Sequence, residues 1–367
     1  MRIAFIGSRS SIHVVGWANA FARKGHEVSV FSMHNAGESF HPDVRVTKLP
    51  FRNPAGYILN IPYLRAKIRD LKPELVHLFY AFGHSFLARM SSQSTPHIVS
   101  VLGSDIYDDV YVSRLYKWIV KKNILSANVV CSTSHIMSRQ IKKICNQDLD
   151  IMITPYGIDI QLFKPRPEVM RSENMVVFGT VKWLEFKYGI DTLIKAFEKF
   201  IRKYHVKNAR LMIVGNGSRE KEYRDLALKL DVYKYCEFAG AVPHSEVPKW
   251  LQKMDVFVAL SRLHSESFGV AVLEAAAMEL PVVVSNMGGL PEVIEDGVQG
   301  LVIPENDIDE AALAFRRYYA SESLRKVHGK QGRKRVLKYY TWKESVAIME
   351  KIYMNVACND NTNSPNS

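Results

Sequence analysis

A chain of 367 residues has room for about two domains and a sizeable core. With 47% hydrophobic and 23% charged residues it is excluded from the disordered, collagen-like and coiled-coil classes. The net charge of +12 favours an anionic partner, whether nucleic acid, a phosphate-bearing ligand or an acidic membrane surface.

Residues 1–165 hold 20 Lys+Arg against 11 Asp+Glu, giving +9, so the excess lies in the first half. These residues are spread over many segments, with no recognition-helix module or RNA-binding aromatic signature, so no nucleic-acid partner is expected. No apolar run approaches the roughly 18 residues that cross a bilayer, and Met1–Gly7 is too short for a signal-peptide core. A cytoplasmic protein is expected, with peripheral contact at the inner face of a membrane as the remaining option. The four cysteines (Cys131, Cys145, Cys236, Cys358) are scattered, without a CxxC pair or a zinc-like Cys/His cluster, which predicts free thiols.

In chain order, the first 31 residues read as a βαβ unit: an apolar strand through Gly7, a polar turn Ser8–Ser11, a helix carrying Val14, Trp17, Ala18 and Phe21, and a strand at Val28–Phe31. Strand-like runs follow at Leu75–Tyr80, His97–Leu102, Val129–Ser132 and Ile151–Thr154, with helical patterns at Phe82–Met90 and Val112–Leu125. The polar stretch Lys164-Pro165-Arg166-Pro167 reads as a linker. The alternation then restarts, with strands at Met175–Gly179, Leu211–Val214, Cys236–Phe238, Val256–Ala259, Val282–Ser285 and Gly300–Ile303. Helices are read at Asp191–Tyr204, Ser218–Leu230, Glu246–Lys253, Val270–Met278 and Asp309–Ala320.

The pattern predicts an α/β protein with one doubly wound domain over 1–163 and another over 164–345. A helix over 346–356 would return to the first domain, and a disordered tail would cover 357–367. Ligands of open α/β sheets bind outside the carboxyl ends of the strands, so the expected active site is the cleft between the two domains.

The densest motif is Ser261-Arg-Leu-His-Ser-Glu266-Ser-Phe-Gly269-Val-Ala-Val-Leu-Glu274. Glu266 falls in a loop and Glu274 about one turn into the following helix, while Ser267-Phe268-Gly269 would present backbone N–H groups at the helix N-terminus. Two carboxylates beside an anion site suit a nucleotide sugar, one for the sugar ring and one for the ribose. Alternatively, both merely complement the helix dipole.

With its neighbouring segments this motif resembles the retaining GT-B glycosyltransferases of family four, which have two Rossmann-like domains facing a central cleft. The family pattern of Glu, seven residues, Glu is met by Glu266 and Glu274. Its glycine-rich continuation is met by Gly288-Gly289-Leu-Pro-Glu292-Val-Ile-Glu-Asp-Gly297-Val-Gln-Gly300. Further matches are Pro155-Tyr156-Gly157-Ile158-Asp159, Phe178-Gly179 through Lys182, Lys187 and Gly189, Ile213-Val-Gly215-Asn-Gly217, and Tyr340-Thr-Trp342.

The resemblance implies that Lys182 and Lys187 hold the donor diphosphate, although relatives commonly have Arg at the first position. It further implies that Glu274 binds the ribose, that Glu266 faces the donor sugar, and that Gly215, Ser267, Phe268, Gly269 and Val270 line the donor site. Gly7 and Ser8 match a glycine-containing loop near the donor phosphates, but no GxGxxG follows the strand, which argues against a dinucleotide dehydrogenase. His13 could touch donor or acceptor, or simply bond to nearby backbone. Relatives often have a histidine where this chain has Leu102, which removes one expected sugar contact. Asp105 remains a candidate on the acceptor side, and His84 could supply an imidazole or serve structure.

The implied activity is transfer of a sugar from a UDP-, GDP- or ADP-linked donor to a sugar or lipid-linked sugar acceptor, with retention of configuration. No cofactor or metal is expected, and the setting would be surface polysaccharide or glycolipid assembly. A non-catalytic nucleotide-sugar-binding subunit, or an epimerase or phosphorylase on the same fold, is the alternative. In Val112–Leu125, Arg114, Lys117 and Lys121 form one helical stripe and Val112, Leu115, Tyr116 and Ile119 the opposite one. This helix either covers the sheet with a wet face outward or rests on an anionic membrane.

Overall fold

The computed structural model describes residues 1–35, 40–92, 94–165 and 175–362. The chain divides into two compact units, one of residues 1–155 with 345–367 and the other of residues 156–344.

The first unit is built on a seven-stranded sheet in the order β3-β2-β1-β4-β5-β6-β7, parallel throughout. Its strands are β1 (Arg2–Ile6), β2 (Glu27–Ser32), β3 (Arg45–Lys48), β4 (Leu75–Phe79), β5 (His97–Ser100), β6 (Val129–Ser132) and β7 (Ile151–Ile153). Ile3, Ala4, Phe5 and Ile6 are all fully buried, which is why β1 reads as a continuous apolar run and lies in the interior of the sheet, between β2 and β4. Helix Ile12–Arg23 turns Val14, Trp17, Ala18 and Phe21 inward against it. The C-terminal helix Trp342–Thr362 contributes to this core from Ser345 onward. Its Tyr353 is fully buried, with the hydroxyl 2.5 Å from Nδ1 of His77, whose Nε2 lies 2.7 Å from Ser100 Oγ. Burial pushes the His77 imidazole down to about 3.

The second unit has a six-stranded parallel sheet in the order β10-β9-β8-β11-β12-β13. Its strands are β8 (Val176–Val181), β9 (Ala209–Val214), β10 (Cys236–Gly240), β11 (Val256–Ala259), β12 (Val282–Ser285) and β13 (Gly300–Ile303). Helices Ile190–Lys203 and Ile308–Ala320 cover one face, where Phe178 packs 5.4 Å from Phe200 and 4.9 Å from Phe315 between ring centroids. Helix Glu322–Tyr339 approaches helix Val270–Ala277 closely at Gly332, where an added methyl would meet Ala276 Cβ at 3.2 Å.

Several expectations need correcting. The division falls after Pro155, not after residue 163. Ile158 donates to the Tyr340 carbonyl (2.8 Å) and accepts from the Trp342 N–H (2.9 Å), which ties residues 156–163 to the second unit. Arg166 and Pro167 of the expected linker lie outside the described residues. The tail expected from Ala357 is helical to Thr362, because extending a formed helix costs far less than nucleating one; residues 363–367 lie outside the described set. The helix read at Val112–Leu125 begins at Arg114, capped by Ser113, and buries Val120, Asn123 and Ile124. Val112 and Leu115, expected on its inner face, are 66% and 61% exposed.

Candidate active site

In the second unit β8 and β11 are neighbours although strands β9 and β10 intervene in the chain, so the strand order reverses between them. Ligands of open α/β sheets bind outside the carboxyl ends at such a point. The segments that leave these two strands meet there. Lys182 Nζ lies 3.1 and 3.0 Å from the two carboxylate oxygens of Glu266, and Ser261 Oγ donates to the same carboxylate at 3.2 Å. Lys187 Nζ donates to the Ser265 carbonyl at 2.7 Å. Both ammonium groups flank the Tyr188 ring, 4.9 and 5.4 Å from its centroid.

Glu266 is 6% exposed. Burial alone would raise its carboxyl, but the charges of Lys182 and Lys187, with hydrogen bonds from Lys182 and Ser261, hold it below the ordinary carboxylate value. The carboxylate is therefore charged, fixed and close to two cations.

Glycines hold these loops in place. Gly215 has φ +135° and its Cα faces the Lys182 carbonyl so closely that no side chain fits. The Lys182 N–H donates to the Val214 carbonyl (3.0 Å), so β9 and the Gly215 turn fix the backbone from which Lys182 projects. The Gly288-Gly289 pair lies against the backbone of the Glu266 loop, where Gly289 N–H donates to the Glu266 carbonyl at 2.9 Å.

Gly269, with φ +101°, caps helix Val270–Ala277, and the Val272 and Leu273 N–H groups bond back to its carbonyl. The positive end of the helix thus opens beside Ser267 and Phe268, both buried. The Phe268 ring packs edge-on against Tyr156 and Tyr340, each 5.9 Å away, which brings three separate sequence motifs into one contact. Glu274 is buried on this helix and pairs with His244, Oε1 to Nε2 2.7 Å. His244, the Ser261 bond to Glu266 and Tyr188 between the lysines are not legible from the sequence. Two ammonium groups and a helix N-terminus suit a diphosphate, and two carboxylates suit hydroxyls. Among the described residues, no three His, Cys, Asp or Glu side chains gather to hold a metal ion.

In the first unit the strand order reverses between β1 and β4. Gly7 follows β1 and is buried; a side chain there would press on Val14 and Phe79 at 3.1 and 3.2 Å. Ser8 begins the turn, its carbonyl accepting from Ser11 N–H at 3.0 Å, and His13 sits half-buried in the first turn of the next helix. His84 follows β4 and is 6% exposed; its Nε2 has no hydrogen-bond partner among the described residues, and its ring lies 5.4 Å from His34 and 5.8 Å from Tyr57. Burial, with the nearby His34, lowers its imidazole to about 3. The buried atoms Arg9 Nε and His34 Nδ1 likewise lack partners among the described residues.

Asp105 does not present a free carboxylate to an acceptor. It is fully buried and accepts from the N–H groups of Ala81 (2.8 Å), Gly103 (2.8 Å) and Leu102 (3.2 Å), locking the turns after β4 and β5 together. Burial nonetheless raises it to about 6. Leu102 is half-buried.

A family model described as glycosyl transferases group 1 matches residues 164–335, and one described as glycosyl transferase 4-like matches residues 2–134. An uncharacterized glycosyltransferase of Methanocaldococcus jannaschii is 31% identical over 230 residues, 60% of this chain and 56% of that one. The chain spans about half the length of the curated relatives it matches. Among solved structures, sucrose-phosphate synthase of Thermosynechococcus elongatus superposes with a TM-score of 0.83 at 19% identity, covering 98% of this chain and 100% of that one. Anabaena HepE in complex with UDP superposes with a TM-score of 0.80 at 17% identity, covering 98% and 100%. With one model on each half and a GT-B fold throughout, the chain belongs to the group 1, glycosyltransferase-4-like family of glycosyltransferases.

Proposed function

We propose that this protein is a retaining glycosyltransferase that moves a sugar from a nucleotide-sugar donor to an acceptor hydroxyl. The observation that carries the reading is the Lys182–Glu266–Lys187 cluster at the strand-order reversal of the second unit, one helical segment from Glu274. The UDP complex of a protein of the same fold supports a nucleotide-linked donor.

The donor diphosphate lies on Lys182, Lys187 and the N-terminus of helix Val270–Ala277, and Glu274 takes the ribose hydroxyls. Departure of the nucleoside diphosphate builds negative charge, which these preorganised groups stabilise without requiring a metal. Glu266 orients the sugar. The bond from the anomeric carbon to the phosphate oxygen breaks as the acceptor oxygen bonds to the same face, and the acceptor proton passes to the departing phosphate. The acceptor belongs to surface polysaccharide or glycolipid assembly and binds to the first unit. His84, a neutral imidazole with one unpartnered nitrogen, is the group there best prepared to take a new hydrogen bond.

The test is a thermal-shift screen of the folded protein against UDP-, GDP- and ADP-sugars and the free nucleotides, followed by NMR of the product's anomeric proton. A shift confined to one nucleotide, with an axial-to-axial or equatorial-to-equatorial outcome, supports the reading. No shift with any of them, or an inverted product, overturns it. Donor binding unaccompanied by transfer to any acceptor, with Glu266→Gln harmless in cells, points to the binding-subunit alternative.

A further inference from the structure

The first unit carries an exposed apolar surface that its core does not explain. Leu115, Trp118 and Tyr111 are 61%, 52% and 67% exposed. At 100° per residue Leu115 and Trp118 share one side of helix Arg114–Leu125, with Arg114, Lys117 and Lys121 along its edge and Val120, Asn123 and Ile124 buried on the other side, while Tyr111 lies in the short turn before the helix. A second apolar group, Phe51, Ile58 and Leu59, is also exposed. The two are joined by a row of rings: Tyr57 lies 6.2 Å from Phe82, which stacks on Tyr116 at 4.2 Å.

Charge selects the occupant. Segments 51–63 and 111–122 hold five Lys or Arg (Arg52, Arg114, Lys117, Lys121 and Lys122) and no Asp or Glu, with Asp108 and Asp109 just before the second segment. A second copy of this chain docking through the same patch would bring like charges together. Nucleic acid gives no reason for exposed Leu59, Ile58 and Leu115. Basic side chains around aliphatic and aromatic ones fit a surface that is anionic outside and hydrocarbon just beneath.

We propose that residues 51–63 and 111–122 form a docking face for an anionic lipid bilayer, with Leu115, Trp118, Ile58 and Leu59 entering the headgroup boundary and the basic residues pairing with lipid phosphates. No helix among the described residues is long and apolar enough to cross a membrane, so the contact is interfacial. The binding is independent of the transferase reading. Only its consequence, that acceptors are taken from the lipid phase, rests on that reading.

Sedimentation with vesicles of phosphatidylcholine, with and without phosphatidylglycerol, tests this without any substrate. Binding is expected at least about tenfold tighter to the anionic vesicles and weakened by salt. Lys117→Gln and Lys121→Gln should each lower partitioning about fivefold. Leu115→Ser with Trp118→Ser should lower it at unchanged melting temperature, since both side chains are exposed. Tryptophan emission should shift to the blue on vesicles in the parent, and Trp118→Phe should remove the shift. Equal binding to both vesicle types, parental binding by the Leu115→Ser, Trp118→Ser variant, or lipid-free dimerisation abolished by Trp118→Ser would overturn the proposal.

Discussion

Lys182 and Glu266, 84 positions apart, face each other so squarely that the ammonium group lies within 3.1 Å of both carboxylate oxygens. Each side chain is about one-tenth exposed or less, and Glu266 relies on Lys182, with Lys187 and Ser261, to remain charged. Lys182→Ala should destabilise the protein by about 3 kcal/mol in denaturant unfolding, because it leaves a buried, unpaired carboxylate. Adding Glu266→Gln should restore part of the loss, with a coupling of about 1 kcal/mol or more. Additive effects of the two substitutions would count against the pair.

Lys187 should act chiefly on turnover. Charge on the departing diphosphate grows toward the transition state, so Lys187→Ala should lower kcat about 100-fold and change donor KM less than about threefold. Steady-state kinetics with the donor named by the thermal-shift screen decides; wild-type turnover would remove Lys187 from the mechanism.

Glu274 should act chiefly on binding. Its carboxylate is buried and its one described partner is His244. Glu274→Ala should weaken nucleotide binding about tenfold by calorimetry. His244→Ala, which leaves the carboxylate in place, should weaken it less.

Gly215→Ala should fail twice over. The backbone angle disfavours any side chain, and the methyl group would strike the Lys182 carbonyl. A loss of about 2 kcal/mol or more in stability is expected, with lower donor affinity as Lys182 shifts. An unchanged melting temperature with wild-type binding would refute the role assigned to this turn.

Acid should destabilise the first unit between about pH 6.5 and 3. His77 and His84 are held near 3 when folded but take a proton near 6.5 when unfolded, so the unfolded state binds more protons in that window and stability rises with pH. At pH 5 each histidine costs about 2 kcal/mol relative to pH 7. Asp105, raised to about 6, works the other way by about 1 kcal/mol. Denaturant unfolding at pH 7 and 5 should show the net loss, and His84→Phe should shrink it.

The sequence reveals most of this fold because the central strands of both sheets are short runs of buried apolar residues that contrast with their surroundings. β3, with its sequence Arg-Val-Thr-Lys, is an edge strand too polar to stand out. Helix Glu322–Tyr339 is nearly as polar on its inner side as outside, because it packs through Gly329 and Gly332. The carboxylates and lysines of the site were legible since each lies in a dense motif. Their partners were not: His244 is 30 positions from Glu274, and the attachment of Ile158 to Trp342 depends on a contact that local patterning does not encode. Asp105 is ambiguous for the same reason, since a carboxylate that ties two turns together has the same letter as one that meets a substrate.

The contact between His77 and Tyr353 joins residues 276 positions apart within one unit, with the whole second unit lying between them in the chain. During synthesis the first half of the chain leaves the ribosome long before Tyr353, Met349 and Ile352 exist to close its core. The second unit needs only residues 156–344 and can finish first. The unit begun first is therefore the one completed last, and until then it waits with an open seam around His77 that a chaperone, or another nascent chain, could find.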